Sequence, residues 1–157
     1  MKKNFKNKRG FTLLEVLIAV SVLVIGTVAA FSTITSTIRS TTFAKDKLIA
    51  SFLAQEGIEI VKNIRNTNWI QGNAWNQGLS PGSWQADYND SALSNYNGAF
   101  LNLGSNGYSY DATSTTKFQR KITITPDPSG NELKVKVEVF WQGHTYEVTS
   151  IITNWWQ

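Results

Sequence analysis

Residues 11–31 read FTLLEVLIAVSVLVIGTVAAF, the one long apolar run in a chain of 157 residues. Thirteen of these residues are Leu, Ile, Val or Phe. As a helix, a run of this length crosses a hydrocarbon core of about 30 Å. At about −0.3 to −0.6 kcal/mol each, the apolar side chains outweigh one acid costing about +2.5 to +3.5 kcal/mol at mid-helix. Glu15 lies near the end of the run, where that cost is smaller. Ahead of the run stand Lys2, Lys3, Lys6, Lys8 and Arg9, with no acid among them. Positive charges so placed stay cytoplasmic and send the C-terminus outward. Without its first ten residues the chain has 10 basic and 11 acidic side chains, a net of −1. The formal charge of +4 therefore belongs to the leader. A nucleic-acid partner is not expected from this balance. Cysteine is absent, which removes disulfides, thiolate metal sites and cysteine nucleophiles together.

Two cuts are open. A secretory signal is cut after its apolar run, and Val28-Ala29-Ala30 is a weak small-x-small site for that. The other cut lies before the run, at Gly10-Phe11. Residues 6–20, KNKRGFTLLEVLIAV, resemble the signal of the type IV prepilin and type II secretion pseudopilin family. The match is unbroken over Gly10-Phe11-Thr12-Leu13-Leu14-Glu15-Val16. The resemblance implies cleavage after Gly10 by a prepilin peptidase and N-methylation of Phe11. It also implies an assembly role for Glu15. A carboxylate in lipid needs a partner. That partner is either the Phe11 amine of a neighbouring subunit or the amine of its own chain, one helical turn away.

Beyond Phe31 the sequence turns Ser/Thr-rich, STITSTIRSTTF, with Ile34 and Ile38 at helical spacing. Phe43, Leu48, Ile49, Phe52, Leu53, Ile60, Val61 and Ile64 continue at intervals that predict an amphipathic helix. Lys45, Asp46, Lys47, Glu56, Glu59, Lys62 and Arg65 fall mostly off that stripe. No Pro interrupts residues 11–66. They form either one continuous helix or two with a bend near 32–36. Gly26 and Gly57 are weak points, at about 1 kcal/mol each relative to Ala. Residues 50–59, ASFLAQEGIE, are similar to the Ala-rich helix of minor subunits of the V and I types. Gln55, Glu56 and Glu59 read as a solvated helix face rather than a catalytic carboxylate pair.

Residues 66–116 resist periodicity and are rich in aromatic residues, Asn, Gly and Ser. Such long irregular stretches are uncommon in compact domains and are often functional. Trp69, Trp75 and Trp84 either pin this region onto a sheet or stack on a ligand such as a sugar. Asn89, in Asp87-Tyr88-Asn89-Asp90-Ser91, is a candidate glycosylation site. The same acids lack the Gly and late Glu of a calcium loop, so no metal or other cofactor is expected.

Near the C-terminus, 118–125, 133–141 and 144–152 read as strands of a meander. Leu133, Val135, Val137, Val139 and Trp141 alternate with polar residues, and Gln142-Gly143 is a two-residue hairpin loop. That loop sets Trp141 opposite His144, Val139 opposite Tyr146, Val137 opposite Val148, Val135 opposite Ser150 and Leu133 opposite Ile152. On the other face it sets Glu138 against Glu147, with Lys134 and Lys136 placed to relieve the repulsion. His144, the only histidine, reads as a packing residue beside Trp141. Without a second histidine, a cysteine or a Gly-rich phosphate loop, no catalytic residues are expected and the chain does not read as an enzyme.

An apolar sheet face and an apolar helix stripe need each other. The predicted fold is therefore α+β and pilin-like: a long N-terminal helix, half membrane-spanning and half amphipathic, packed on a small antiparallel C-terminal sheet. Its expected parts are a cleaved leader (1–10), a transmembrane and assembly helix (11–34), an amphipathic helix (35–66), an aromatic loop region (67–117) and the sheet (118–157). Residues 67–157 with the helix would form one globular head. The resemblance implies a structural subunit, more like a minor than a bulk one, of a type IV pilus or type II secretion pseudopilus. Its implied partners are prepilin peptidase, other pilin subunits, an assembly platform in the membrane, and membrane lipid. Its implied place is a single-pass cytoplasmic membrane protein with its C-terminus outside, later part of a filament. The alternatives are a tip module binding through the aromatic loop and an anchored extracytoplasmic protein that does not assemble.

Overall fold

A computed structural model describes residues 10–111 and 113–155. The chain divides into two units, residues 1–44 and residues 45–157, and each is described by itself. One helix, α1 (Leu13–Ile70), enters both.

In the first unit α1 starts on a cap. The Thr12 hydroxyl accepts from the Glu15 backbone N–H at 3.3 Å, and the Thr12 carbonyl accepts from Val16 N–H at 3.2 Å. Thr12-x-x-Glu15 is the sequence form of a capping box, a signal the hydropathy reading passed over. The helix is unbroken through 32–36, where a bend had been one option. All its side chains up to residue 44 are exposed, with Leu13, Leu23, Ile25 and Phe31 at two-thirds exposure or more. Apolar surface on this scale needs a partner. Among the described residues α1 alone is long and apolar enough to cross a membrane.

In the second unit the helix buries Asp46, Ala50, Leu53, Ala54, Gly57, Ile58, Ile60, Val61, Ile64 and Asn68. The spacing of three and four is as expected, but the stripe is not built from the largest residues. Leu48 and Phe52 stay 56% and 60% exposed, while Ala50 and Ala54 are wholly buried. Small residues win because the helix lies close against the sheet. A Cβ added at Gly57 would stand 2.8 Å from Val137 Cγ1 and 3.2 Å from Arg120 Cδ. Asp46, expected off the stripe, is buried and accepts from Lys117 Nζ at 2.6 Å. The helix ends in a Schellman motif, four residues past the predicted end. Asn73 N–H donates to the Asn68 carbonyl and Gly72 N–H to that of Trp69, with Gly72 left-handed at φ 71°.

Among the described residues the sheet has seven strands: β1 (Gly82–Gln85), β2 (Ser94–Asn95), β3 (Phe100–Gly104), β4 (Gly107–Ser109), β5 (Ser114–Pro126), β6 (Glu132–Trp141) and β7 (His144–Thr153). β6 and β7 pair antiparallel in the predicted register, from Trp141 with His144 to Leu133 with Ile152. Their turn uses two left-handed residues, Gln142 (φ 44°) and Gly143 (φ 80°). Glu138 does face Glu147, but it is held by Lys121 at 2.9 Å and Lys136 at 3.0 Å rather than by Lys134.

The region expected to be irregular contributes β1 to β4. β5 pairs with β6 along one edge, while β1 and β3 share its other edge, beside Ile122–Ile124 and Ser114–Gln119 respectively. These strands have two to five residues, too short for an alternation to mark them: β2 pairs with β1, β4 pairs with β3, and β1 reaches β5 across about forty residues. The core lies between the helix and the inner sheet face: Phe118, Ile122, Ile124, Leu133, Val135, Val137, Val139, Trp141 and Ile152.

Candidate functional site

The first candidate site is the start of the described chain. Gly10 is exposed, and a Cβ there would meet nothing within 4 Å. Phe11 is 82% exposed and precedes the first helical residue. The peptide bond between them therefore lies in accessible, non-helical chain. Glu15 sits in the first turn of α1, where the positive end of the helix dipole favours a carboxylate. Lys2, Lys3, Lys6, Lys8 and Arg9 lie outside the described residues.

Residues 5–31 match the family model described as the prokaryotic N-terminal methylation motif. This is a type IV prepilin/pseudopilin signal. No curated protein and no solved structure matches the chain. The prepilin motif fits a pilin or pseudopilin precursor, and it implies processing by prepilin peptidase and assembly with other pilins. Together with the exposed apolar helix it fits an inner-membrane-anchored protein that forms a filament. The motif points to a structural subunit. Gly10, Phe11 and Glu15 all fall inside the matched residues, and the helix beyond Phe31 and the whole sheet fall outside them.

Outside the prepilin motif, Arg120 is a polar group with several partners. It is wholly buried on the inner face of β5 between Phe118 and Ile122. Its guanidinium donates to Glu56 Oε2 at 2.9 Å, to the Leu53 carbonyl at 3.2 Å and to the Ala86 carbonyl at 2.6 Å. Glu56 is thus not a plain solvated residue: it neutralises a buried cation and ties the helix to the sheet. Gln55 and Glu59 are exposed, and Glu59 lies 3.5 Å from Lys62. The Tyr110 hydroxyl donates to the Arg120 carbonyl at 3.4 Å, and burial pushes its phenol pKa up despite the nearby guanidinium. Arg120 is a structural cation, since its hydrogen bonds go to the chain itself. Its position in an apolar alternation was its sequence signal, and Glu56 could not be assigned to it across 64 residues.

The tryptophans do not share one surface role. Trp75 and Trp84 are partly buried against the core, and Trp84 Nε1 donates to the Ser80 carbonyl at 2.9 Å. Trp69 meets Trp155 edge-on at 4.7 Å, under the Arg65 guanidinium at 4.6 Å. Asn66, Trp69, Ile70 and Trp155 line a shallow hollow of about 460 Å³. Asn89 is exposed on a turn. The acids flanking it hold that turn: Asp87 accepts from Tyr88 N–H at 2.7 Å and Tyr110 N–H at 3.2 Å, and Asp90 accepts from Asp87 N–H at 2.7 Å. His144 packs against Trp141, ring centroids 5.6 Å apart.

Proposed function

We propose that this chain is a minor structural subunit of a type IV pilus or type II secretion pseudopilus. Cleavage falls after Gly10, Phe11 is N-methylated, and residues 11–34 serve first as membrane anchor and then as assembly helix. The observation that carries this reading is the prepilin motif running directly into an exposed apolar helix, with Gly10-Phe11 accessible before its first turn. Glu15 then neutralises an amine created at Phe11, which would otherwise be a lone cation among apolar helices. Its partners are prepilin peptidase, other pilin subunits and the membrane platform that assembles them. The C-terminal unit is the extracytoplasmic head.

Intact mass and N-terminal fragmentation of the protein, from cells with and without a prepilin peptidase, test this. Loss of residues 1–10 with gain of one methyl group is expected only when the peptidase is present. A mature start near Phe31 would make the protein an ordinary secreted domain. Glu15→Ala is expected to be cut normally and to be lost from filaments. Failure of cleavage would move Glu15 from assembly into the peptidase signal.

A further inference from the structure

The Ser/Thr-rich stretch between the matched signal and the head has two kinds of hydroxyl. Thr33, Thr35, Thr37 and Thr42 donate to the carbonyls of Ala29, Phe31, Thr33 and Ile38 at 2.9–3.0 Å. These hydroxyls are satisfied within the helix and are at home in an apolar setting. Ser32, Ser36 and Ser40 are exposed and make no such bond. At about 100° per residue, these serines line one side of the helix with Arg39, while Phe31, Ile34 and Ile38 take the other.

Arg39 is the only ionisable side chain between Glu15 and Lys45. It is exposed, and no acid lies within reach along its own helix. Its depth is set by the helix rise. From Leu13 to Arg39 is about 39 Å at 1.5 Å per residue. A bilayer with its headgroup layers measures about 40–45 Å. With the N-terminal end of the helix at the inner headgroup layer, Arg39 reaches the outer one.

We propose that Arg39, with Ser36 and Ser40, forms a phosphate-binding face that takes lipid headgroups of the outer leaflet while the subunit waits in the membrane. The proposal rests on the anchored, head-outward reading given above. A guanidinium presents a planar fork that pairs bidentately with phosphate, and the adjacent hydroxyls add donors. Ile34, about 7 Å deeper along the axis, meanwhile stays with the acyl chains. The face sets how far the helix sinks, so the same residues that hold a waiting subunit must give up their lipid when it leaves for a filament.

The test uses the full chain carrying ¹³C-labelled arginine, in vesicles of phosphatidylethanolamine and phosphatidylglycerol. Carbon–phosphorus dipolar dephasing reads contact between the Arg39 guanidinium and lipid phosphate. In an Arg9→Lys background, which removes the leader's own arginine from the inner headgroups, dephasing is expected with Arg39 present and loss to baseline in Arg39→Gln. Equal dephasing in maltoside micelles with inorganic phosphate would reassign the face to free phosphate. Contact with a carboxylate of another copy instead would make it a subunit interface. Because the chain has no cysteine, Thr149→Cys reports orientation cleanly in spheroplasts through an impermeant maleimide. A labelled Thr149→Cys with no phosphorus contact at Arg39 overturns the lipid site alone. An unlabelled one overturns the orientation, and the lipid site with it.

Discussion

The two parts of α1 use apolar residues in opposite ways. Up to residue 44 the helix shows every large apolar side chain to its surroundings. From residue 45 onward it buries Ala50, Ala54 and Gly57 and leaves Leu48 and Phe52 outside. The first part is a surface awaiting a solvent or a partner, so bulk and length are what matter. The second already has its partner. There closeness of approach decides, and a glycine contributes more than a phenylalanine. A hydropathy stripe cannot separate these cases, because it scores residues by transfer energy and ignores how near the opposing backbone stands.

The sharpest way to break the comparison is the same substitution in both parts. Val61 is wholly buried and Val24 is 54% exposed. Val61→Asp places an unpaired charge in the core and is expected to cost about 4 kcal/mol, much of a typical 5–15 kcal/mol. Thermal melts of the full chain in detergent should show the head collapsing to a low midpoint. Val24→Asp should leave that midpoint where it was. Equal losses would mean that the two parts are not distinct environments.

Gly57 sharpens the claim about closeness. Alanine gains about 1 kcal/mol of helix propensity over glycine. Against that, its methyl meets the stiff Val137 side chain at 2.8 Å. Overpacking of this kind costs about 1–3 kcal/mol. Gly57→Ala is expected to be destabilising by about 1 kcal/mol in denaturant melts, and Val137→Ala should reverse its sign by making room. Additive single effects in that double-mutant cycle would show that the helix and β6 do not touch at this point.

What could be read in advance follows the same physics. The β6–β7 register was legible because one strand face is almost wholly apolar and the loop has two residues, so a slip of one would invert every side chain. The methylation motif that holds Gly10 and Phe11, the proposed processing residues, was legible because it is spelled out in consecutive letters. Strands β1 to β4 were not, since each has only two to five residues, too few to show an alternation. Arg120 was hidden for a related reason. A charge at an inward position looks like a register error until Glu56 and the carbonyls of Leu53 and Ala86 are brought to it. What Glu15 pairs with was open in the letters, because its proposed partner belongs to a processed or neighbouring chain.

Glu138 extends the contrast to the outer face of the sheet, where charge rather than closeness operates. Burial pushes its carboxyl pKa up, but hydrogen bonds from Lys121 and Lys136 outweigh this and hold it below its ordinary value. The bond to Glu138 likewise raises the Lys136 ammonium. A carboxyl with a lowered folded pKa stabilises the fold above its unfolded pKa, about 4.3 for Glu. That contribution is lost as pH falls through the folded value. Glu138→Gln should therefore flatten the acid side of the stability profile, with a smaller effect at neutral pH than Gly57→Ala. An unchanged acid limb would show that the two lysines are not bound to it in solution.

The smallest expected effect is at Phe52, and it is the most searching test of the second part of the helix. By size and hydropathy Phe52 belongs to the core, and its stripe neighbour Leu53 is buried. Its own ring is 60% exposed, beside Ile49, Tyr88 and Tyr108 at the edge of a groove of about 390 Å³. Phe and Ser have nearly the same intrinsic helix propensity, so Phe52→Ser changes little in the helix itself. Exposed substitutions of this kind stay within about ±0.5 kcal/mol. Leu53→Ser, one residue on, should cost several times more, because it removes buried contacts and buries a hydroxyl. The pair of melts reads the helix's rotation directly. If Phe52→Ser matched Leu53→Ser, the large residues would be inside after all, and the small-residue contact through Gly57 would have to be given up.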